Sequence, residues 1–444
     1  MYHKVSKLLL YSDLGEDSVL VGLSDIFRDW EAGTADHAEL VRRAHVQVKH
    51  ILDIATTYGF DQNLWQDYLT FVLLTNENSF TLTAERRGAA EGGSVNHFAK
   101  ADLEVFRELF HFDFAPIEHD LGLDCFSVLE DYHAITKPEK NYYRSVSELV
   151  RRLSDELAAA PDVDAMFDAL TASYKAYGVG MFGLNRAFHI HGLPDGTVQF
   201  LPINNIGGGR LSDLVGYEDQ KKQLTDNTDA FVAGLPANNV LLYGDAGTGK
   251  STSVKALVNE YYDSGLRMIE IYKHQFKYLS AVIAAIKGRN YRFVIYIDDL
   301  SFDEGELEYK FLKAVIEGGV ETRPDNILIY ATSNRRHLVK EDWKDRTDME
   351  YEGDMHRSDT MQEKLSLAAR FGVAINFSSP RQQAYHEIVQ TLASRQLTDP
   401  PEPEQLLLLA DRWELRHGGM SGRVAQQFVD YLAGQEGTAE KDEA

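Results

Sequence analysis

The sequence predicts an α/β domain, a five-stranded parallel sheet with helices on both faces, carrying a C-terminal helical lid and preceded by a mainly α-helical N-terminal domain. Three observations carry this. Gly244-Asp245-Ala246-Gly247-Thr248-Gly249-Lys250-Ser251 fits the phosphate-loop pattern G-x-x-x-x-G-K-[ST]. A gapless apolar run, Phe293-Val294-Ile295-Tyr296-Ile297, ends in Asp298-Asp299. From Leu211 onward, strand-like runs alternate with helical ones, whereas the residues before show helical apolar spacing almost throughout.

In chain order, helical spacing recurs over 19–30, 38–58, 103–110 and 146–157, with Trp30 and Trp65 as large core candidates. The stretch 85–93, with Arg86, Arg87, Gly88, Gly92 and Gly93, reads as a loop. Two alternating runs, 187–191 and 197–201, flank Pro194-Asp195-Gly196 and predict a hairpin, placed with an N-terminal domain over 1–206. His189 and His191 share one face of its first strand, and without a third ligand residue they read as a solvated face. Gly207-Gly208-Gly209 marks a joint.

The nucleotide-binding domain spans 207–379, with strands expected at 239–243, 267–271, 293–297, 326–332 and 373–377. Three helical stretches, 382–395, 404–416 and 424–432, make the lid over 380–433. The acidic, small-residue tail 434–444 is expected to be disordered.

The chemistry explains the spacing. A triphosphate needs several backbone N–H groups converging on it at the positive end of a helix, which only a glycine-rich turn allows. Gly244, Asp245, Ala246, Gly247, Thr248 and Gly249 form that turn, and Lys250, Ser251 and Thr252 open the helix. Lys250 is positioned to reach the β- and γ-phosphates, and Ser251 to offer its hydroxyl to Mg²⁺. Asp298, at the end of a buried strand, serves the same ion through a coordinated water. Asp299 stands where many ATPases place a glutamate that orients or deprotonates the attacking water. ATP and Mg²⁺ are the expected cofactors.

Composition narrows the partners. A formal charge of −24 argues against a general grip on nucleic acid or anionic membrane. Residues 1–210 carry 18 Lys+Arg against 31 Asp+Glu and the remainder 27 against 38, so neither half supplies a basic face. Cys125 is the single cysteine, which rules out an intrachain disulfide and points to a reducing cytoplasm. No charged-then-apolar leader is present, and 7–11 is too short an apolar run to cross a bilayer.

Beyond the phosphate loop, 211–432 resembles an AAA+ ATPase module. Leu214-Val215-Gly216-Tyr217 is similar to the family's adenine-pocket segment, which puts Val215 and Gly216 beside the base. Thr332-Ser333-Asn334 places Asn334 at sensor 1, and Met420-Ser421-Gly422-Arg423 places Arg423 at sensor 2. Leu365-Ser366-Leu367-Ala368-Ala369-Arg370-Phe371 resembles the arginine-finger region, which implies that role for Arg370, with Arg335, Arg336 and Arg357 as rivals. Asp299 departs from the family's glutamate by one methylene, and Glu304 and Glu306 lie close enough in sequence to substitute. Threading ATPases place an aromatic on a pore loop after the second strand; here Phe276, Lys277 and Tyr278 instead read as the start of a packed helix.

More narrowly, Asp298-Asp299-Leu300-Ser301-Phe302 and the words around Asn334 resemble a bacterial single-module ATP-binding family of unknown function, and more distantly helicase-loader and transposition-helper ATPases. The resemblance implies ATP hydrolysis and a homo-oligomer, a ring or open spiral such as a hexamer. An unidentified protein client is expected through the N-terminal domain. A nucleic-acid-associated loader and a slow nucleotide switch are the alternatives.

Overall fold

A computed structural model describes the chain apart from residues 16–17, 89–91, 135–143, 204–205, 208, 303–305, 307, 318–323, 335–369 and 443–444. It divides into two units, Met1–Asn185 and Arg186–Ala444.

The first unit is helical among its described residues, and the expected stretches appear as Val19–Ala32, His37–Tyr58, Ser94–Phe110 and Arg144–Ala158. Local chemistry sets their ends. The Asp36 carboxylate accepts from the Ala38 N–H at the start of the second of these, and Gly59, at φ 72°, closes it. Their apolar faces merge into one core that includes Leu23, Phe27, Leu69, Phe106 and Leu170. Trp65 is buried there. Trp30 is half-buried and donates its indole N–H to Asp120 at 2.7 Å. The expected loop over 85–93 starts later than its composition suggests. Asn78 and Thr81 form a reciprocal cap that starts helix Ser79–Arg87, so Glu85, Arg86 and Arg87 are helical and the chain turns at Gly88.

Among its described residues the second unit has seven strands: β1 (Ala187–Gly192), β2 (Val198–Pro202), β3 (Val240–Gly244), β4 (Leu266–Glu270), β5 (Arg292–Ile297), β6 (Ile327–Ser333) and β7 (Val373–Phe377). Their order is β2-β1-β4-β5-β6-β3-β7. The five expected strands form the all-parallel run β4-β5-β6-β3-β7. Every residue of β6 is buried, as is every residue of β5 after Arg292, the pattern of strands covered on both faces. Helices Glu218–Val232 and Lys250–Tyr261 bury Leu224, Phe231, Val254 and Leu257 in one core with Val240, Leu242, Val294 and Tyr330.

The expected hairpin exists but belongs to this sheet rather than to the N-terminal unit. β1 and β2 are antiparallel partners, and β1 pairs in parallel with β4, with Phe188 opposite Ile269. Ala187, Phe188 and Ile190 are buried, so the strand needs cover, and the β4 edge needs a partner for its exposed backbone groups. The division therefore falls at 185/186 instead of 206/207.

The lid comprises helices Gln382–Gln396, Pro403–His417 and Gly422–Asp442 around Tyr385, Val389, Ala410, Phe428 and Val429. Its last helix continues to Asp442, into the segment expected to be disordered. The residues beyond Leu432 include Ala433, Gln435, Glu436, Ala439, Glu440 and Lys441, all strong helix formers, and they outweigh Gly434 and Gly437. No helix among the described residues is long and apolar enough to cross a membrane.

Candidate functional site

The turn after β3 requires glycine at three places. Gly244, Gly247 and Gly249 have φ of 133°, 75° and 92°. A Cβ on Gly244 would lie 2.2 Å from the Phe377 carbonyl oxygen, and one on Gly249 would lie 2.6 Å from Leu214 Cδ1. Side chains are excluded at these positions, so the backbone there is free to approach a ligand closely. Gly249 caps helix Lys250–Tyr261.

Lys250 is 6% exposed, and its ammonium donates to the carbonyls of Gly244 at 3.0 Å and Asp245 at 2.6 Å. Burial lowers its pKa, against the pull of the Asp245, Asp299 and Asp298 charges. Next to it, Ser251 Oγ donates to Asp298 Oδ1 at 2.7 Å. The Thr332 hydroxyl donates to the same carboxylate oxygen. Partial desolvation works to raise the Asp298 pKa, but these donors hold it below the usual carboxylate range. Asp298 is therefore an anion beside a hydroxyl, a hard oxygen set that fits Mg²⁺.

Asp299 has φ 50°, a left-handed conformation, and its carboxylate accepts from Asn334 Nδ2 at 2.8 Å. An ion pair engages Glu306 elsewhere: its carboxylate binds Lys273 Nζ at 2.7 Å. Glu304, Arg335, Arg336 and Arg357 lie outside the described residues.

The lid closes the other wall. Arg423, in the first turn of helix Gly422–Asp442, donates its backbone N–H to the Gly247 carbonyl at 3.1 Å. Asp245 ties the loop to the start of the lid: its carboxylate accepts from the Ser379 N–H at 2.7 Å, and its own N–H donates to the Phe377 carbonyl at 3.0 Å. The Ser379 backbone and hydroxyl hold the Asp245 pKa low. Tyr217 stacks on Phe377 with ring centroids 5.2 Å apart and donates its hydroxyl to the Ser378 carbonyl at 3.0 Å. Burial pushes that phenol up to about 12.

These elements enclose a cavity of about 720 Å³ whose floor is Ala246 to Thr252, with Asp298, Asp299, Thr332 and Asn334 on one side. Leu214, Val215, Tyr217, Ile388 and Leu392 form an apolar end, and Arg423, Gln426 and Gln427 reach in from the lid. Gly216, at φ 79°, turns the chain between Val215 and Tyr217. The structure thus gathers Lys250, Ser251, Thr252, Asp298, Asp299, Asn334, Arg423 and Val215 around one cleft.

Arg370 is not in it. It precedes β7, whose first residue Val373 pairs with Val240, four strand positions and roughly 13 Å from the phosphate-loop end of β3. Phe276 is buried, and residues Lys273–Tyr278 form a short helix leading into Leu279–Ile286, as their spacing suggested. His189 does not stand on a purely solvated face. Its ring stacks on Tyr272 with centroids 5.8 Å apart, and its Nδ1 lies 3.5 Å from Glu270 Oε2. Sequence reasoning missed Thr332, although strand alternation puts it on the Asn334 side, and Ile388 and Leu392, whose spacing resembles any amphipathic helix.

The chain is 35% identical over 69 residues, 15% of its own length, to the replication factor C large subunit of Staphylothermus marinus. It spans 16% of the length of that relative. A point mutant of Thermotoga maritima RuvB aligns over 53% of this chain and 68% of its own at 16% identity, with a TM-score of 0.37. The AAA domain of FIGL-1, in complex with ADP, aligns over 51% of this chain and 73% of its own at 20% identity, with a TM-score of 0.35. The family model described as protein of unknown function, DUF815, matches residues 185–436. That segment starts at the unit boundary and contains the whole sheet, the phosphate loop, the Asp298-Asp299 pair and the lid as far as residue 436, and so the chain belongs to the DUF815 family.

Proposed function

We propose that the protein is a Mg²⁺-dependent ATPase that couples its nucleotide state to remodelling or regulating a protein partner. The observation that supports this most is the convergence on one cavity of phosphate loop, paired acids, Asn334 and the lid arginine. In this reading the loop N–H groups bind the phosphates and Lys250 moves from the Gly244 and Asp245 carbonyls onto the β- and γ-oxygens. Ser251 and Asp298 would hold the metal ion, which would supply positive charge against the phosphates. Asp299, steadied by Asn334, orients water and accepts its proton as the γ-phosphoryl group leaves. Arg423 contacts the nucleotide from the lid, so lid position reports phosphate content. Val215 and Leu392 flank the base.

The test is Mg²⁺-dependent phosphate release by the full chain and by Asp299→Asn. The wild type turns over ATP, while Asp299→Asn retains it uncleaved. Equal rates in both would remove Asp299 from the mechanism.

The position of Arg370, at the far end of β7 from the loop, favours action on a neighbouring subunit in a ring or spiral. Arg370→Ala then binds ATP but hydrolyses it about 10³-fold more slowly. Mixing it with Lys250→Ala restores part of the rate, because each supplies what the other lacks. Turnover per subunit that ignores protein concentration, with no rescue on mixing, would replace the assembly with a monomeric switch.

A further inference from the structure

Asp299 stands in an unusual backbone state for a working acid. Left-handed φ is uncommon for a non-glycine residue, although aspartate tolerates it better than most, and here a neighbour holds the backbone in it. The neighbour that does so is Thr332, on β6, which is 1% exposed. Its hydroxyl oxygen accepts the Asp299 backbone N–H at 3.0 Å. The same hydroxyl donates its proton to Asp298 Oδ1, the oxygen that also receives Ser251. Its carbonyl accepts the Leu300 N–H at 2.7 Å, and the next hydroxyl, Ser333, donates to the Leu300 carbonyl at 2.8 Å. One residue therefore grips three consecutive positions, Asp298, Asp299 and Leu300.

We infer that Thr332 is a positioning residue for both acids: one hydroxyl orients the Asp298 carboxylate toward the metal site and fixes the Asp299 backbone so that its short side chain meets Asn334. The inference rests on the Mg²⁺-ATPase reading of this cleft. The chemistry calls for a hydroxyl. Only a group that both donates and accepts can bridge a carboxylate and an N–H at once, and Thr332 makes both bonds with a single rotor. A β-branched side chain is also held in few rotamers on a strand, so the bridge is formed in advance. With an aspartate in place of the longer glutamate, backbone placement has to supply what side-chain reach does not.

The test uses the full chain with Thr332→Val, which keeps the shape and loses the hydroxyl, and Thr332→Ser, which keeps the hydroxyl. ATP affinity is measured in EDTA and again across a Mg²⁺ titration, alongside turnover. For Thr332→Val, affinity in EDTA stays within about twofold of wild type, since the phosphate loop is untouched. The Mg²⁺-dependent gain in affinity and kcat both fall by about 10–100-fold, the usual range for residues that orient metal ligands, with KM little changed. Thr332→Ser recovers most of the loss. Unaltered Mg²⁺ dependence in Thr332→Val overturns the inference, and so does equal damage from both variants, which would indicate packing alone. A wild-type chain that binds Mg²⁺-ATP without hydrolysing it would sink the ATPase reading, yet the Mg²⁺-dependent affinity of the two variants would still decide the role of Thr332.

Discussion

Two pairs of acids, one pair in each unit, are held in contrasting ways. In the helical unit, Asp102 is 1% exposed and its carboxylate accepts three consecutive backbone N–H groups, those of Leu9, Leu10 and Tyr11, at 2.7–3.1 Å. Glu118 likewise accepts the Phe126 N–H at 2.7 Å and the Ser127 N–H at 3.0 Å. The Ser127 hydroxyl donates to the other Glu118 oxygen, so both carboxylates are occupied by donors inside the helical unit. In the sheet unit, Asp298 and Asp299 face an open cleft, and their side-chain donors, Ser251 and Asn334, also line it. An acid held by backbone fixes a fold, and an acid held by side chains at a cavity is available for chemistry.

The comparison breaks most decisively at Lys250 and Asp102. Lys250→Ala removes the mobile cation of the phosphate loop and is expected to abolish nucleotide binding, with the helical unit intact because its core residues all lie between Met1 and Leu184. Asp102→Ala is the converse. It strands the Tyr11 N–H in a buried site and frees two more, a loss of about 2–4 kcal/mol, and nucleotide affinity should persist. Calorimetry of each variant, paired with nucleotide titration, reads both effects. If Lys250→Ala binds ATP normally, the cleft has been misread, and if Asp102→Ala leaves stability unchanged, that acid is not structural.

Legibility differed between the units for the same reason. The Asp298-Asp299 pair could be read because it follows a gapless apolar strand at a set distance from a glycine-rich turn, and the geometry there is local. Asp102 could not be read at all, since its partners lie 91 or more positions away and no spacing rule links a mid-helix aspartate to a distant loop. The hairpin was legible as a hairpin, but its sheet was not. Alternation fixes which residues of β1 are buried, whereas the choice of β4 as neighbour is settled by long-range pairing. Helix boundaries in the lid lie within a residue or two of the spacing, except at the C-terminus, where an acidic composition suggests disorder but helix propensity prevails as far as Asp442. Thr332 went unnoticed because a threonine in a buried strand is ordinary until its two partners are known.

The finest contrast concerns an acid that has neither role. Asp67 is 3% exposed in helix Leu64–Thr75, and burial pushes its carboxyl up to about 7, against the opposing pull of Ser154 and Arg151. An unfolded aspartate titrates near 3.9. Below about pH 4 both states carry the proton, and the neutral acid fits the core at no electrostatic cost. As pH rises toward 7 the unfolded chain releases its proton while the folded chain retains it, so the contribution of Asp67 to stability declines by about 1.4 kcal/mol per pH unit and levels off above its folded pKa. Asp67→Asn cannot titrate. Its stability relative to wild type should therefore improve steadily between about pH 4 and 7 and then stop changing, a trend opposite in sign to that of an acid held ionised, such as Asp29 beside Arg43 and Arg28. Chemical denaturation of both proteins across that range measures the difference directly. A difference that stays flat with pH would mean that Asp67 keeps an ordinary carboxylate pKa and is solvated through the helical unit.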